Sequence, residues 1–171
     1  MSYLSNIINK KCQKYFSKEN IICISIVITI FYTDRFTKKK IIDSLANEKS
    51  IFINDYLNLE LVWNNGIGFG LLNLEPNIYY HLISLTIFLV ILFLIYLISK
   101  SDLLEKILFS TIIGGAIGNF YDRISFFAVP DFIDLHYNNF HWFTFNIADI
   151  FITIGIILIL IKDFCLKNEK N

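Results

Sequence analysis

An excess of basic residues is missing from this chain: 15 Lys and Arg are matched by 15 Asp and Glu over 171 residues. Phosphate backbones therefore meet no positive surface, which argues against nucleic acid as a partner. Cysteine is scarce, at Cys12, Cys23 and Cys165. None lies in a CxxC, so neither a zinc ribbon nor a thioredoxin-type motif is on offer. Charge of either sign is thin at 18%, whereas 55% of the residues are hydrophobic and Phe occurs 17 times. Soluble domains run about 45–50% apolar by a count that includes glycine. The composition indicates a polytopic membrane protein, mainly α. No internal repeat or second domain is visible, so residues 1–171 read as a single integral-membrane domain.

Four spans are expected, at about 18–37, 76–98, 103–122 and 146–162. The first apolar run, Ile21–Thr33, resembles a signal-peptide core. The bulky, charged Tyr32-Thr-Asp-Arg-Phe36 that follows lacks the small residues cleavage needs, so the run reads as a retained helix. Residues 76–99 carry no charge and are long enough to span, with Pro76 at the helix start. Between the first two spans, Leu57-Asn-Leu-Glu-Leu61 alternates with period two, and Asn65-Gly66 is a hairpin signal. A small extracytoplasmic β-sheet on the membrane surface, over about 55–72, is the expectation. The basic residues divide nine to six between the two sides, which puts both termini in the cytoplasm. Cys12 and Cys165 then face a reducing compartment and Cys23 sits in lipid, so no disulfide is expected.

The uncharged stretches of the other three spans hold only 14, 15 and 12 residues, over 20–33, 107–121 and 150–161. All fall short of the ~20 a bilayer requires. Charged residues must complete them. At the cytoplasmic ends these are Lys18, Lys106 and Lys162, whose stems can snorkel. At the other ends they are Asp34, Asp122 and Asp149, which are too short to do so. An unpaired carboxylate at that depth costs on the order of a few kcal/mol.

The third and fourth helices run in opposite directions, so Asp122 and Asp149 reach the same face. Two adjacent carboxyls can share a proton and titrate as a pair. The ionised member can draw a proton from water while the protonated one donates to a carbonyl oxygen, which is the division of labour peptide hydrolysis needs. Asn119 lies three residues before Asp122, and Asn146 three before Asp149, so each amide is expected to orient a carboxylate. Gly114 and Gly118 form a GxxxG that permits close helix approach. Spacing leaves open which aspartate starts protonated, and also whether Asp122 merely pairs with Arg123. Asp131 and Asp134 read as helix-surface or capping groups, and His81, His136, His141, Tyr79, Tyr80, Trp63 and Trp142 as interfacial belt residues. No histidine is assigned a catalytic role.

Gly114-Gly-Ala-Ile-Gly-Asn-Phe-Tyr-Asp-Arg123 resembles the GGAxGNxxDR box of the bacterial lipoprotein signal peptidases. Val129-Pro-Asp-Phe-Ile-Asp134, Phe145-Asn-Ile-Ala-Asp149, Asn64-Asn-Gly-Ile-Gly-Phe69 and Thr33-Asp-Arg-Phe-Thr-Lys38 are similar to that family's other boxes, in the same order. The resemblance implies an aspartic endopeptidase of the bacterial inner membrane. It implies removal of the signal peptide from diacylglyceryl-modified prolipoproteins by the catalytic pair Asp122 and Asp149. Asn119, Arg123, Asn146, Asn64, Asp34 and Lys38 match positions that support the site or handle substrate. No cofactor and no metal ligand is expected, and activity should resist chelators. The expected partners are lipid-modified prolipoproteins and membrane lipids, and the chain is expected to act as a monomer. Two departures stand out: Arg35 replaces a glutamine, and Ile67-Gly68 replaces a small pair. The first lets Arg35 neutralise Asp34. A transporter or an assembly subunit using intramembrane carboxylates is the rival reading.

Overall fold

The first helix among the described residues, α1, starts at a side-chain cap. In the computed structural model, which describes residues 17–46, 48–66, 78–138 and 140–168, the Ser17 hydroxyl accepts a hydrogen bond from the Asn20 amide at 3.3 Å. α1 then runs Lys18–Ser44, beyond the boundary near 37 that the apolar run predicts. It holds neither Gly nor Pro, and Lys38 turns back onto Asp34 one turn earlier at 2.9 Å. The charges expected to end the helix are folded inward instead.

Strands β1 (Ser50–Asn54) and β2 (Leu57–Asn64) form an antiparallel hairpin. The sheet therefore begins earlier than the predicted 55–72, with its turn at Asp55-Tyr56. Asn65-Gly66 joins no two strands among the described residues. Instead the Asn64 side chain accepts from the Gly66 amide at 2.9 Å, an Asx turn that ends β2. Gly68, Gly70, Pro76 and Cys12 fall outside the described residues.

Helix α2 covers Ile78–Ile98 and α3 covers Leu103–Phe126, the latter capped by Asp102, whose carboxylate accepts from the Glu105 amide at 2.9 Å. Phe127, at φ 55°, takes the left-handed conformation that closes α3. The chain then enters β3 (Val129–Tyr137), turns through Asn138 at φ 52°, and returns as β4 (Phe140–Phe145) before α4 (Ile147–Asn168). The stretch between α3 and α4 is thus half of a four-stranded antiparallel sheet, β1-β2-β3-β4. Asp131 and Asp134 lie within β3, buried, and are neither helix-surface nor capping groups. Residues 130–134 are buried or half-buried on both faces of the strand, so β3 shows none of the in-out alternation that would have marked it.

Among the described residues three helices, Lys18–Ser44, Tyr80–Ile98 and Leu103–Phe126, are long and apolar enough to cross a membrane. In α4 the apolar run Ile150–Ile161 is bounded by Asp149 and by Lys162 and Asp163, which keeps it short of that standard. The helices turn large apolar side chains outward, among them Ile28, Phe93, Tyr96 and Leu160, all more than half exposed. Apolar surface on that scale belongs against lipid. Cys23, expected in lipid, is instead buried within the protein.

α3 is the central helix and packs on α1, α2 and α4. Its glycines allow the close approach. A Cβ on Gly114 would stand 2.9 Å from Ile30 Cβ of α1, and one on Gly115 would stand 2.5 Å from the Ala148 carbonyl oxygen of α4. At the far end of the bundle, Lys106 pairs with Glu19 at 2.7 Å, and Lys162 with Asp102 at 2.5 Å and Glu105 at 2.9 Å. These two lysines were expected to snorkel to water. They tie helix ends together.

Candidate active site

Three helices converge on one buried polar knot. α1 supplies Asp34, Arg35 and Lys38 from two successive turns, α3 supplies Asn119 and Asp122, and the first turn of α4 supplies Asp149. α1 can lie this close because Gly118 has no side chain: a Cβ there would be 2.6 Å from Asp34 Oδ2. Asp34 and Asp122 are fully buried, and Lys38 is only 1% exposed.

Lys38 is the hub. Its Nζ donates to Asp34 Oδ2 at 2.9 Å, Asn119 Oδ1 at 2.8 Å and Asp122 Oδ2 at 2.7 Å. All three ammonium protons are therefore placed. Arg35 forks onto Asp122, one nitrogen on Oδ1 and Nη2 at 2.6 Å from Oδ2, and Nη2 also reaches Asp34 Oδ2 at 2.8 Å. Its guanidinium stacks over the Tyr121 ring at 5.0 Å. The neutralisation of Asp34 suspected from sequence is real, but Arg35 binds Asp122 as well. Arg123, the alternative partner for Asp122, points elsewhere. Its Nη2 donates to the Gly66 carbonyl at 2.5 Å, and its own carbonyl accepts from the Tyr80 hydroxyl at 2.9 Å. Arg123 thus pins the end of β2 to α3. Tyr80 is 1% exposed, so it is a core residue and not part of an interfacial belt.

Asp149 meets a different environment. Asn119 Nδ2 donates to its Oδ1 at 2.7 Å, and the Asn146 backbone N–H donates to its Oδ2 at 3.1 Å. The Asn146 side chain returns the bond, accepting from the Asp149 amide at 3.1 Å. That reciprocal pair is a capping box with Asn and Asp in place of the usual residues. The expectation that each asparagine orients the aspartate of its own helix is corrected here. Asn119 reaches across to Asp149, because its other end is held by Lys38. The Asn146 amide donates to Asp131 Oδ1 at 2.5 Å, because its carbonyl is committed to the cap. Asp34 completes the α4 terminus: its Oδ1 accepts from the Ala148 amide at 3.1 Å, a carboxylate against the positive end of a helix.

The knot brings together seven of the eight residues singled out from sequence: Asp122, Asp149, Asn119, Asn146, Asp34, Lys38 and, through Asp131, Asn64. Asn64 Nδ2 donates to Asp131 Oδ2 at 2.9 Å. Arg123 stays outside it. Two members were missed. Arg35 was visible only as a departure from a pattern, and Asp131 was assigned to a surface. The asymmetry is electrostatic: Asp122 faces two cations, Asp149 faces amides. Carboxyls in such unlike surroundings can divide the work of accepting and donating a proton, so the chemistry this knot supports is proton transfer between carboxyls and water.

Asp131 lies in the sheet and titrates in an accessible range. Burial, the largest cause, pushes its carboxyl up from 3.8 to about 7, against the lowering effect of the Asn64 and Asn146 amides. The folded state then holds a proton that the unfolded chain releases near pH 4. Stability is fully present below that pH and lost as pH rises toward 7, with a slope of at most about 1.4 kcal/mol per pH unit. Asp131→Asn should remove that component. Thermal unfolding in detergent at pH 5 and pH 7.5 checks it, and parallel pH dependences for the two proteins would contradict it.

A family model described as signal peptidase (SPase) II matches residues 26–165. The chain is 46% identical over 148 residues to the lipoprotein signal peptidase of Pelagibacter ubique strain HTCC1062, covering 85% of this chain and 89% of that protein. It is 38% identical over 149 residues to the lipoprotein signal peptidase of Francisella tularensis subsp. novicida strain U112, covering 85% and 92%. A solved structure described as a bacterial membrane enzyme superimposes with a TM-score of 0.74 at 31% identity, covering 87% of this chain and 91% of that one.

Proposed function

The chain belongs to the signal peptidase II family of membrane proteases, and from that premise we propose that it cleaves diacylglyceryl-modified prolipoproteins by a two-aspartate mechanism at Asp122 and Asp149. The observation that carries the reading is the asymmetric knot. Asp122, clamped by Arg35 and Lys38, is the ionised member, and Asp149, hydrogen-bonded to amides, carries the proton. Asp122 takes a proton from water as the water oxygen attacks the scissile carbonyl, and Asp149 gives its proton to the carbonyl oxygen. Collapse of the tetrahedral intermediate breaks the C–N bond as Asp122 passes its proton to the leaving nitrogen and Asp149 regains one from a hydroxyl of the intermediate, which restores both carboxyls. One water is consumed, with no nucleophilic side chain. Asn119 and Lys38 hold the two carboxyls in register. Asp34, Asn146 and Asn64 support the frame, and Arg123 fastens the sheet to it.

In this reading α4 is a fourth span, Lys162 and Asp163 meeting the headgroups. The sheet lies on the extracytoplasmic surface, and both termini are cytoplasmic in the bacterial inner membrane. The whole chain works as one domain and as a monomer. The lipid on the substrate cysteine fixes the scissile bond at headgroup depth, where the aspartates sit, which is the orientation part of catalysis. Incubating the purified chain in lipid with a precursor carrying, or lacking, the diacylglyceryl group tests this. Cleavage immediately before the modified cysteine is expected, with the unmodified precursor left intact. Equal cleavage of both, or of neither, would overturn the substrate assignment.

A further inference from the structure

Asp134, His136 and His141 take no part in the polar knot, yet the sheet sets them side by side. Asp134 and His136 are two apart on β3 and therefore share a face, and His136 is the register partner of His141 on β4. One ring nitrogen from each histidine and one Asp134 oxygen all lie within 4.8 Å of one another. His141 Nδ1 is 2.8 Å from Asp134 Oδ2, and His136 Nδ1 is 3.5 Å from the same oxygen. The two imidazoles stack with centroids 5.3 Å apart.

A second observation points into this cluster. His136 is 92% buried (relative exposure 8%), and its Nδ1 has no hydrogen-bond partner among the described residues. A buried, unsatisfied ring nitrogen is uncommon unless something else engages it. Its backbone N–H donates to the Tyr56 carbonyl at 3.0 Å, which holds the residue in place. His141 is half exposed and leaves a path from solvent.

We propose that Asp134, His136 and His141 bind a divalent transition-metal ion of the Zn2+ type, separate from the proteolytic site. Two imidazoles and one carboxylate are a donor set that suits such ions. A tetrahedral ion with bonds of roughly 2.0–2.1 Å holds its ligand atoms roughly 3.4 Å apart, close to the 3.5 Å already separating His136 Nδ1 from Asp134 Oδ2. The Asp134–His141 pair, at 2.8 Å, needs to open by about 0.6 Å. Water fills the fourth position. The ion cross-links β3 to β4, and β4 runs directly into the Asn146 cap that positions Asp149, so binding stiffens the frame without entering the chemistry.

Equilibrium dialysis of the purified, tag-free chain in detergent against Zn2+, followed by metal analysis, tests the site. The expected result is about one zinc per chain in the wild type and in His81→Ala, which removes the remaining histidine. Affinity should be weaker by at least about tenfold in His141→Ala and His136→Gln. Zinc should also raise the melting temperature of the wild type and not of His141→Ala. Because His141 is half exposed, its truncation should leave the fold intact, as circular dichroism will show; if it does not, His141→Gln takes its place. No zinc bound to the wild type, or uptake unchanged by the His141 substitution, would overturn the proposal.

Discussion

Changing Asp122 or Asp149 to asparagine is expected to lower cleavage of a lipid-modified precursor by about three orders of magnitude or more, while the chain still folds and inserts. Asparagine is nearly isosteric with aspartate but can neither share nor transfer the proton. At position 149 the side-chain carbonyl can still accept from Asn119, so the α4 terminus stays capped by Asn146 and Asp34. At position 122 the change leaves one surplus positive charge. Arg35, at 19% side-chain exposure, can release it toward solvent, while Lys38 keeps Asp34 and Asn119. Because the two carboxyls act as a unit, the double variant should be no worse than either single one. Precursor cleavage followed by mass, beside circular dichroism of each variant, checks the claim. Activity within tenfold of wild type in either folded variant would remove the dyad reading, and with it the proposed mechanism.

Lys38→Met should be the most damaging substitution for stability. Methionine fills much of the same volume but withdraws three buried hydrogen bonds, and Asp34 and Asp122 are left with Arg35 as their remaining cation. Breaking a buried ion pair by deleting one partner costs about 3–5 kcal/mol, since the other charge stays behind without water. The same change frees Asn119 Oδ1, so the amide that holds Asp149 loses its orientation. Activity should therefore fall together with stability. Lys39 and Lys40 are exposed neighbours on the same helix. Their methionine variants should shift stability by no more than about 0.5 kcal/mol. Thermal unfolding of the three variants in one detergent makes the comparison. A Lys38 variant as stable as the Lys39 variant would mean that the knot is solvated and not buried.

Much of the site could be read in the chain because helical periodicity is local. Asn119 and Asp122 share a face by their three-residue spacing alone, and an aspartate closing one apolar run and opening the next must meet its counterpart at a common surface. The GxxxG at Gly114 and Gly118 announced a close neighbour without naming it. The neighbour is α1, and only its crossing at Ile30 and Asp34 puts Arg35 on Asp122. No spacing within α3 encodes that pairing. Asp131 was unreadable for a related reason: its strand is covered on both faces, so the alternation that reveals half-exposed strands is absent.

By itself the sequence determined the membrane-spanning character, the antiparallel return between α3 and α4, and the two aspartates at one end of it. These follow from runs of apolar residues and from where charge interrupts them. Only the tertiary structure decided which cations and amides each carboxyl meets, that Asn119 serves the aspartate of the other helix, and that two histidines join Asp134. Many of those partners lie far apart in the chain, by as many as 114 residues for Asp34 and the Ala148 amide. The free energy of a buried charge depends on what surrounds it in space, and neighbours in sequence say little about that.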